Sequence, residues 1–285
     1  DSLRETWFET SFQLDALQRP VAHATRRKEN IFQQELKYVM PSDFNGRFAN
    51  LGIDPATRPT HAPRAAIIRE KGVNGDREMA WSLYLAGFDV KDVHMTDLVS
   101  GREDLSDVQM IVFVGGFSNS DVLGSAKGWA GAFLYNPKAK ASLDKFYDRT
   151  DTLSLGVCNG CQLMMELGLV YRDWKNHPRM HHNGSHRFES IFTSLTIPEN
   201  ESVMLRSLAG TTLGAWIAHG EGRFSLPPDL SGYRVAAHYT YAAYPGNPND
   251  SDHAVAALYS ADGRHLAIMP HIERALYPWN WPHYP

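Results

Sequence analysis

Residues 152–168 contain the side chain best suited to covalent chemistry, Cys158. An apolar run rich in strand formers stops at this cysteine, and a helical pattern begins directly after it. Gly156 and Gly160 flank it without Cβ atoms, so the backbone can turn sharply there and a substrate can approach closely. A helix that starts at the bend directs its free N–H groups and positive dipole end at the sulfur, which favours a thiolate. The pattern therefore predicts a strand–turn–helix elbow with a cysteine nucleophile.

The same cysteine fits two other interpretations. A cysteine in an apolar run is commonly a buried core residue. Cys158 and Cys161 also form a C-x-x-C pair, a spacing found in thioredoxin-like redox proteins and in halves of zinc sites. The chain has no third cysteine to complete a zinc site. Four histidines lie close together in one predicted loop, but no carboxylate or cysteine accompanies them at metal-ligand spacing, so we expect a solvated loop and no metal site. The four are His177, His181, His182 and His186.

The segment after the last predicted strand supplies the remaining groups of a nucleophilic site. Side chains two residues apart in extended backbone point to the same side, so His271 and Glu273 can both face the elbow. An imidazole beside a thiol acts as a general base and then as a general acid toward a leaving amine, while a carboxylate on the far ring nitrogen fixes the tautomer. The sequence thus predicts a site made of Cys158, His271 and Glu273.

Two glycines, Gly115 and Gly116, follow a run of apolar strand formers at 111–114. Such a pair makes a tight turn, and it can also expose backbone N–H groups to a developing oxyanion. Beside a nucleophile elbow we expect the second role. By contrast, residues 247–250, with the sequence Asn-Pro-Asn-Asp, predict only a turn, and no chemistry is assigned to them.

Regular alternation of strands and helices begins at Arg64. Strands are expected at 65–68, 88–94, 110–114 and in the run before the cysteine, with helices at 75–86 and 128–148. This rhythm predicts an α/β fold with an open, mostly parallel sheet covered by helices on both faces and reactive groups beyond the carboxyl ends of the strands. After residue 168 the apolar runs are shorter, and Asp262-Gly263 is a hairpin signal. We therefore expect an antiparallel extension of the sheet.

The first 63 residues differ from the rest of the chain. Residues 2–18 carry apolar side chains at helical intervals, which predicts an amphipathic helix. From 19 to 63 the pattern breaks into charge clusters, turn residues and prolines, typical of a connector, with a short helix expected at 30–39. We therefore divide the chain into residues 1–63, a helix and connector, and residues 64–285, the domain that holds the site.

The composition argues against several classes of partner. The 285 residues include 28 Lys and Arg against 32 Asp and Glu, a net charge of −4, so we expect no nucleic-acid partner and no membrane partner. No apolar run is long enough to span a membrane, and no signal peptide is recognisable. Two cysteines three residues apart cannot stabilise a chain of this length through disulfide bonds, which indicates a reducing compartment and a cytoplasmic location. The chain begins with Asp1 rather than Met, which predicts a fragment or a processed product.

Taken together, the motifs resemble those of a known family. The spacing Gly156-x-Cys158-x-Gly160-x-Gln162, followed much later by His-x-Glu, resembles the class I, triad-type glutamine amidotransferases. Longer strings resemble the glutaminase domain of the formylglycinamide ribonucleotide amidotransferases of purine biosynthesis, over residues 64–279. These strings are Gly115-Gly-Phe-Ser118, Asp121-Val-Leu-Gly124, Gly128-Trp-Ala130, Gly156-Val-Cys-Asn-Gly-Cys-Gln162, Arg187-Phe-Glu189, His219-Gly-Glu-Gly-Arg223 and Met269-Pro-His271-x-Glu-Arg274.

This resemblance implies a class I glutamine amidotransferase-like, flavodoxin-like fold and a reaction. Cys158 would attack the side-chain amide of glutamine, form a γ-glutamyl thioester and release ammonia, and water would then free glutamate. His271 and Glu273 would take the base and orienter roles. The implied oxyanion and substrate-binding residues are Gly115, Gly116, Asn159, Gln162, His219, Glu221 and Arg223.

The resemblance also implies a partner. Ammonia would pass to an ATP-dependent synthetase domain of the same full-length polypeptide, so ATP and Mg²⁺ are expected only in that absent domain and no cofactor is expected in this segment. Residues 1–63 resemble the tail of the synthetase portion, and the family domain usually continues with a terminal helix, so we expect truncation at the C-terminus. From the residues alone, a cysteine peptidase or hydrolase of related fold and a C-x-x-C redox protein remain the alternatives.

Overall fold

The computed structural model describes residues 2–52, 54, 57, 61–175 and 177–282, so residues 53, 55, 56 and 58–60 of the predicted connector lie outside the described residues. The helices are α1 (Ser2–Gln18), α2 (Val21–Asn30), α3 (Asp76–Leu85), α4 (Met95–Ser100), α5 (Lys127–Leu134), α6 (Pro137–Asp148) and α7 (Asn159–Glu166). The strands are β1 (Arg64–Arg69), β2 (Asp89–His94), β3 (Met110–Phe113), β4 (Leu153–Val157), β5 (Arg179–His181), β6 (Glu189–Thr196), β7 (Thr212–His219), β8 (Arg223–Ser225), β9 (Val235–Tyr239), β10 (Val255–Tyr259) and β11 (His265–Ile268).

Five strands form the parallel half of a nine-stranded sheet, in the order β2-β1-β3-β4-β11. The residues of β1, β3, β4 and β11 are almost all buried, and a strand buried on both faces needs apolar side chains along its whole length. The register pairs Phe113 with Gly156 and Val157 with Ile268, so β3, β4 and β11 end side by side. The predicted parallel sheet is confirmed, and the segments that follow these three ends meet at one edge.

The sheet continues through β10, β9, β6 and β7 in antiparallel pairing, which confirms the predicted extension. The hairpin signal at Asp262-Gly263 lies in the turn between β10 and β11, as predicted. Two strands were not predicted: β5 and β8 pair with each other as a separate two-stranded sheet. Each has only three residues, too few for an alternating pattern of apolar and polar side chains to be recognised.

The core lies between this sheet and the helices packed on it, with the fully buried rings of Phe113, Trp129 and Phe133 near its centre. The helix predicted at 128–148 is two helices, α5 and α6. The Asn136 side chain accepts hydrogen bonds from two backbone N–H groups of the next turn, at 3.1 and 3.0 Å, so a new helix begins there. None of the described helices is long and apolar enough to cross a membrane.

The N-terminal helix is confirmed as α1, but the helix expected at 30–39 is wrong. The second helix is α2, which lies earlier and contains the charge cluster that we interpreted as connector. Beyond it the chain extends, and Val39 pairs with Thr212 of β7 through two backbone hydrogen bonds of 2.9 Å. The free edge of β7 offers hydrogen-bond partners to this segment, a tertiary effect that the local sequence does not contain.

Candidate active site

Cys158 forms the bend between β4 and α7. Its backbone has φ 51° and ψ −106°, a conformation that costs energy for any residue with a side chain. The surroundings hold it there, because the Cys158 N–H donates to the Ile268 carbonyl at 3.0 Å and its carbonyl accepts from the Gln162 N–H at 3.0 Å. The elbow is therefore a fixed feature that projects the sulfur from the end of the sheet.

The flanking glycines allow the close packing of α7 on the sheet rather than the turn itself. A Cβ atom on Gly160 would lie 1.9 Å from the Phe113 carbonyl oxygen, and one on Gly156 would lie 2.5 Å from the Gly160 oxygen. Neither glycine has a positive φ, whereas Cys158 does. The expectation that these glycines supply the sharp turn is thus wrong, since the strained residue is the cysteine.

His271 lies between Glu273 and Cys158. Its Nδ1 is 2.6 Å from Glu273 Oε1, and the side chains of His271 and Glu273 are only 1% and 2% exposed. The His271 ring and the Cys158 side chain lie next to each other against Gly115. The extended geometry expected for this pair is wrong, because Ile272–Arg274 form a turn of 3-10 helix. The side chains of His271 and Glu273 still meet, because the turn brings residue 273 back toward residue 271. The backbone N–H of His271 donates to the Trp216 carbonyl at 2.8 Å, which fixes the start of this turn.

The electrostatics of the pair favour separated charges. Burial raises the pKa of the Cys158 thiol, but the charge of His271 and hydrogen bonds from His219 and His271 outweigh it and lower that pKa to about 6. Burial lowers the pKa of His271, but the charge of Cys158 and hydrogen bonds from Cys158 and Glu273 raise it to about 9. Between these values the pair favours a Cys158 thiolate and a His271 imidazolium.

Gly115 lies directly against this pair, and Gly116 follows it against Val73 and Asn74. A Cβ atom on Gly115 would lie 2.7 Å from His271 Cε1 and 3.4 Å from Cys158 Cβ, so a larger residue would displace the imidazole. Gly116 has φ 132°, and its position faces Val73 across an antiparallel bridge whose hydrogen bonds use Gly72, Asn74, Gly115 and Phe117. In such a pair the N–H of the central residue points away from the bridge, so the Gly116 N–H is not used in it. The predicted oxyanion role of Gly116 stays a prediction.

Asn159 and Gln162 are buried, and their side-chain amides make hydrogen bonds within the protein. Asn159 Nδ2 donates to Gln162 Oε1 at 2.9 Å, and Asn159 Oδ1 accepts from the Ser118 N–H at 3.2 Å. Gln162 Nε2 donates to the Glu221 carbonyl at 2.7 Å. These side-chain hydrogen bonds connect α7 to the loops after β3 and β7. Asn159 is the first residue of α7, so its backbone N–H has no hydrogen-bond partner within the helix.

The segment from His219 to Arg223 is only partly directed at the cysteine. His219 is buried, and the carbonyl oxygen of Ala218, the residue before it, lies 3.7 Å from the Cys158 sulfur. The Glu221 carboxylate accepts from the Ser125 N–H at 3.4 Å, on the loop after β3. Arg223 lies on β8 and pairs with Asp252 at 3.2 Å. Within the described residues no group of three His, Cys, Asp or Glu side chains is arranged to hold a metal ion.

Asn249 was not predicted as a site residue. Its Oδ1 lies 2.6 Å from His219 Nε2, and His219 directly follows Ala218, whose carbonyl oxygen is 3.7 Å from the Cys158 sulfur. No local signal could have found it, because the Asn-Pro-Asn-Asp run has an ordinary turn composition and its contact with His219 spans 30 residues.

An open α/β sheet with a buried cysteine, histidine and glutamate at the carboxyl ends of its parallel strands is the arrangement of class I glutamine amidotransferases. The chain belongs to the family of CobB/CobQ-like glutamine amidotransferase domains, whose sequence profile matches residues 62–285. The predicted resemblance to glutamine amidotransferases is confirmed, and neither the peptidase nor the redox alternative gains support.

Much longer proteins contain similar sequence. The chain is 43% identical over 305 residues to a probable phosphoribosylformylglycinamidine synthase, chloroplastic/mitochondrial, of Arabidopsis thaliana, an alignment that covers 99% of this chain and 21% of that protein. It is 43% identical over 306 residues to phosphoribosylformylglycinamidine synthase of Homo sapiens, covering 98% and 22%. The chain thus spans about a fifth of the length of these relatives.

A solved structure supports the fold independently. PurLQS from Thermotoga maritima superposes with a TM-score of 0.64 and 26% identity, over 77% of this chain and 92% of that one. Together with the family match over residues 62–285, this similarity identifies the architecture described above as that of a glutamine amidotransferase domain.

Proposed function

We propose that this chain is a glutaminase that hydrolyses glutamine through a thioester on Cys158 and supplies ammonia to an ATP-dependent synthetase that makes formylglycinamidine ribonucleotide. The observation that carries the proposal is the burial of Cys158 beside His271, whose Nδ1 lies 2.6 Å from Glu273 Oε1. The names of the relatives support the second half of the proposal.

Acylation follows from the charge state of the pair. The Cys158 thiolate attacks the amide carbon of glutamine, and the negative charge moves to the carbonyl oxygen, where the N–H groups of Gly116 and Asn159 can stabilise it. The imidazolium of His271 donates its proton to the amide nitrogen. The C–N bond then breaks, ammonia leaves, and a γ-glutamyl thioester remains on a site with neutral His271.

Deacylation uses the same groups in reverse. Neutral His271 removes a proton from water, the oxygen attacks the thioester carbon, and the C–S bond breaks to release glutamate and regenerate the thiolate. Glu273 keeps the Nδ1 proton of His271 in place throughout, so that the other ring nitrogen faces the reaction.

The partner in this proposal is the synthetase portion of a longer polypeptide. The great length of the relatives supports it, and ATP and Mg²⁺ are assigned to that portion. Residues 1–63 would be the tail of the synthetase portion. The expected cytoplasmic location, which rests on cysteine usage, stays part of the proposal, although the Arabidopsis thaliana relative is named chloroplastic/mitochondrial.

The test is an assay of the chain with glutamine in which glutamate and ammonia are both measured. We expect equal amounts of the two products, none with Cys158→Ala, and nearly unchanged rates with Cys161→Ala, because Cys161 lies in the core behind the elbow. Equal loss in the two variants would instead favour a redox pair. The chain by itself should make no amidine with ATP. ATP-dependent amidine synthesis by this chain would overturn the assignment of that step to a separate synthetase portion.

A further inference from the structure

Helix α1 presents an apolar face that none of the described residues covers. No residue of α1 is buried. Four large apolar side chains recur along it at spacings of four, seven and three residues, which return to the same side of a helix. They are Leu3, Trp7, Leu14 and Leu17, with 86%, 75%, 57% and 85% of their surface exposed. We call these four residues the outer face of α1.

The opposite side of α1 meets α2 and the chain that follows α2. Phe8 packs edge-on against Phe32, with ring centroids 5.3 Å apart. The ammonium group of Lys28 lies 4.5 Å from the centroid of the Phe12 ring and also pairs with Glu9. These contacts hold α1 in place through its inner side, so the outer face is not needed to attach the helix to the rest of the chain.

The charges of α1 favour a protein partner over a membrane. The helix has one basic residue, Arg4, against Glu5, Glu9 and Asp15, whereas a helix that lies on anionic lipid carries Lys and Arg beside its apolar face. The guanidinium of Arg4 lies 4.6 Å from the centroid of the Phe32 ring, on the inner side. The positions within and beside the outer face hold uncharged polar side chains, namely Thr6, Thr10, Ser11, Gln13 and Gln18. A contiguous apolar surface of this kind is typical of a protein interface.

The segment that carries the outer face is shared with the long relatives rather than with the glutamine amidotransferase domain alone. The family profile begins at residue 62, whereas the alignments with the Arabidopsis thaliana and Homo sapiens proteins cover 99% and 98% of this chain. These alignments cover only 21% and 22% of the two relatives. Helix α1 therefore belongs to a stretch of sequence that accompanies a large additional polypeptide.

Building on the glutaminase function above, we propose that the outer face of α1 is the surface on which the synthetase portion of the longer polypeptide docks. The end of α1 is fixed to the glutaminase domain, where Arg19 pairs with Glu189 at 2.7 Å. Helices α1 and α2 then form a layer between the two portions. Because both portions belong to one polypeptide, docking is intramolecular, and one apolar face suffices to hold them together. Docking keeps the ammonia released at Cys158 close to the synthetase.

Amide hydrogen exchange tests this contact without any turnover. Exchange of residues 2–18 is followed by mass spectrometry in the 285-residue chain and in the full-length polypeptide. We expect α1 to exchange about 100-fold more slowly in the full-length polypeptide, because docking buries the helix. This protection should be lost in the double variant Trp7→Glu/Leu17→Glu. Equal exchange of α1 in the two parent forms would overturn the proposal.

The source of nitrogen provides a second test, in the full-length polypeptide. Amidine synthesis from glutamine requires the two portions to be in contact, whereas ammonium chloride supplies the synthetase directly. We expect Trp7→Glu/Leu17→Glu to lower glutamine-dependent synthesis by about 10-fold or more, because buried Trp and Leu side chains dominate such interfaces. Ammonium-dependent synthesis should stay within about 2-fold of the parent. Equal losses with the two nitrogen sources would overturn the proposal.

The matched control is Leu134→Glu/Val203→Glu. It places the same charges on two apolar side chains outside α1, which are 48% and 41% exposed. We expect no change in either rate of amidine synthesis, and a loss equal to that of Trp7→Glu/Leu17→Glu would overturn the proposal. In the 285-residue chain Trp7→Glu/Leu17→Glu should leave the unfolding temperature and glutamine hydrolysis unchanged, because the outer face is exposed there.

Other occupants of the outer face give different results. A dimer of the 285-residue chain that Trp7→Glu/Leu17→Glu dissociates in sedimentation velocity would overturn the proposal in favour of a second copy. Capture of the parent chain by vesicles of phosphatidylcholine and phosphatidylserine would overturn it in favour of a membrane. If the full-length polypeptide makes amidine from neither nitrogen source while α1 is protected from exchange, the proposed function fails and the docking surface stands.

Discussion

At the scale of single residues, the reactivity of Cys158 results from a competition between burial and charge. Burial alone would keep the thiol protonated, and the charge of His271 together with the smaller effects of the His271 and His219 rings outweighs it, so the pKa of Cys158 falls to about 6. Glu273 acts on Cys158 only through His271: its Oε1 lies 2.6 Å from His271 Nδ1 and helps to raise the pKa of the imidazole. The same environment acts differently on Cys161, whose pKa burial raises well above its usual value, so the two cysteines of the C-x-x-C pair have opposite chemistry.

This competition predicts the pH dependence of glutamine hydrolysis. As pH falls through about 6, the Cys158 thiolate is protonated and the nucleophile is lost. As pH rises through about 9, His271 loses the proton that the leaving ammonia needs. We therefore expect a bell-shaped profile of kcat/KM with a plateau between these values, and a rate that still climbed between pH 8 and 10 would contradict the resting ion pair.

Removal of the Glu273 charge should shift one limb of that profile. In Glu273→Gln the side-chain amide can still hydrogen-bond with His271, but the negative charge of the carboxylate is lost. The pKa of His271 should therefore fall, and the alkaline limb should move to lower pH. We expect kcat to fall by about 100-fold or more, because the tautomer is no longer enforced. Glu166→Gln, at the far end of α7, is the control and should leave both quantities unchanged.

At the scale of elements, the elbow depends on how closely α7 packs against the sheet. Gly160 of α7 lies over the carbonyl of Phe113 in β3, at a distance that admits no side chain. The strained backbone of Cys158 persists because β11 and α7 both bond to it. The sulfur of Cys158 is therefore positioned by helix packing, and a shift of α7 would move it.

Two glycine substitutions in helices test this packing. Gly160→Ala should destabilise the chain by about 3 kcal/mol, because its Cβ would overlap the backbone of Phe113. Gly131→Ala in α5 meets only Tyr135 at 3.8 Å, so we expect a gain of up to about 1 kcal/mol from helix propensity. Urea unfolding followed by circular dichroism measures both, and equal stabilities of the two variants would be inconsistent with the packing described here.

The sequence predicted the elements with strong local signals and not those that depend on distant partners. The buried strands of the parallel half are continuous apolar runs, and Asp262-Gly263 is a recognisable turn, so both were found. The meeting of His271 with Glu273 was predicted, but through an extended backbone rather than the 3-10 turn that forms. The contact of Asn249 with His219 could not be predicted, since tertiary folding alone brings them together.

At the scale of the whole molecule, α2 and the end of α1 are anchored to the domain that holds the site. Arg19, just after α1, pairs with Glu189 of β6 at 2.7 Å and also hydrogen-bonds to the Tyr244 hydroxyl. On α2, His23 and Arg26 bind Asp250 at 2.7 and 2.8 Å. Asp250 directly follows Asn249 in the chain, so the N-terminal segment contacts the loop that holds His219.

Loss of the Arg19 pair should loosen this anchor. The side chains of Arg19 and Glu189 are 9% and 7% exposed, so Arg19→Ala leaves a buried carboxylate without its partner. We expect a destabilisation of about 3 kcal/mol and faster proteolysis between α1 and α2. Lys28→Ala, which removes a half-exposed pair with Glu9, should change stability by less than about 1 kcal/mol. Similar protease sensitivity in the two variants would argue against the anchor.

The covalent state of Cys158 during turnover tests the central claim most directly. The chain is mixed with glutamine and quenched in acid within the first turnovers, its intact mass is recorded, and the modified peptide is mapped. The account predicts one added glutamyl group, located on Cys158 and absent from Cys158→Ala. Glutamine hydrolysis by the parent chain with the adduct on another residue, or undiminished hydrolysis by Cys158→Ala, would contradict it.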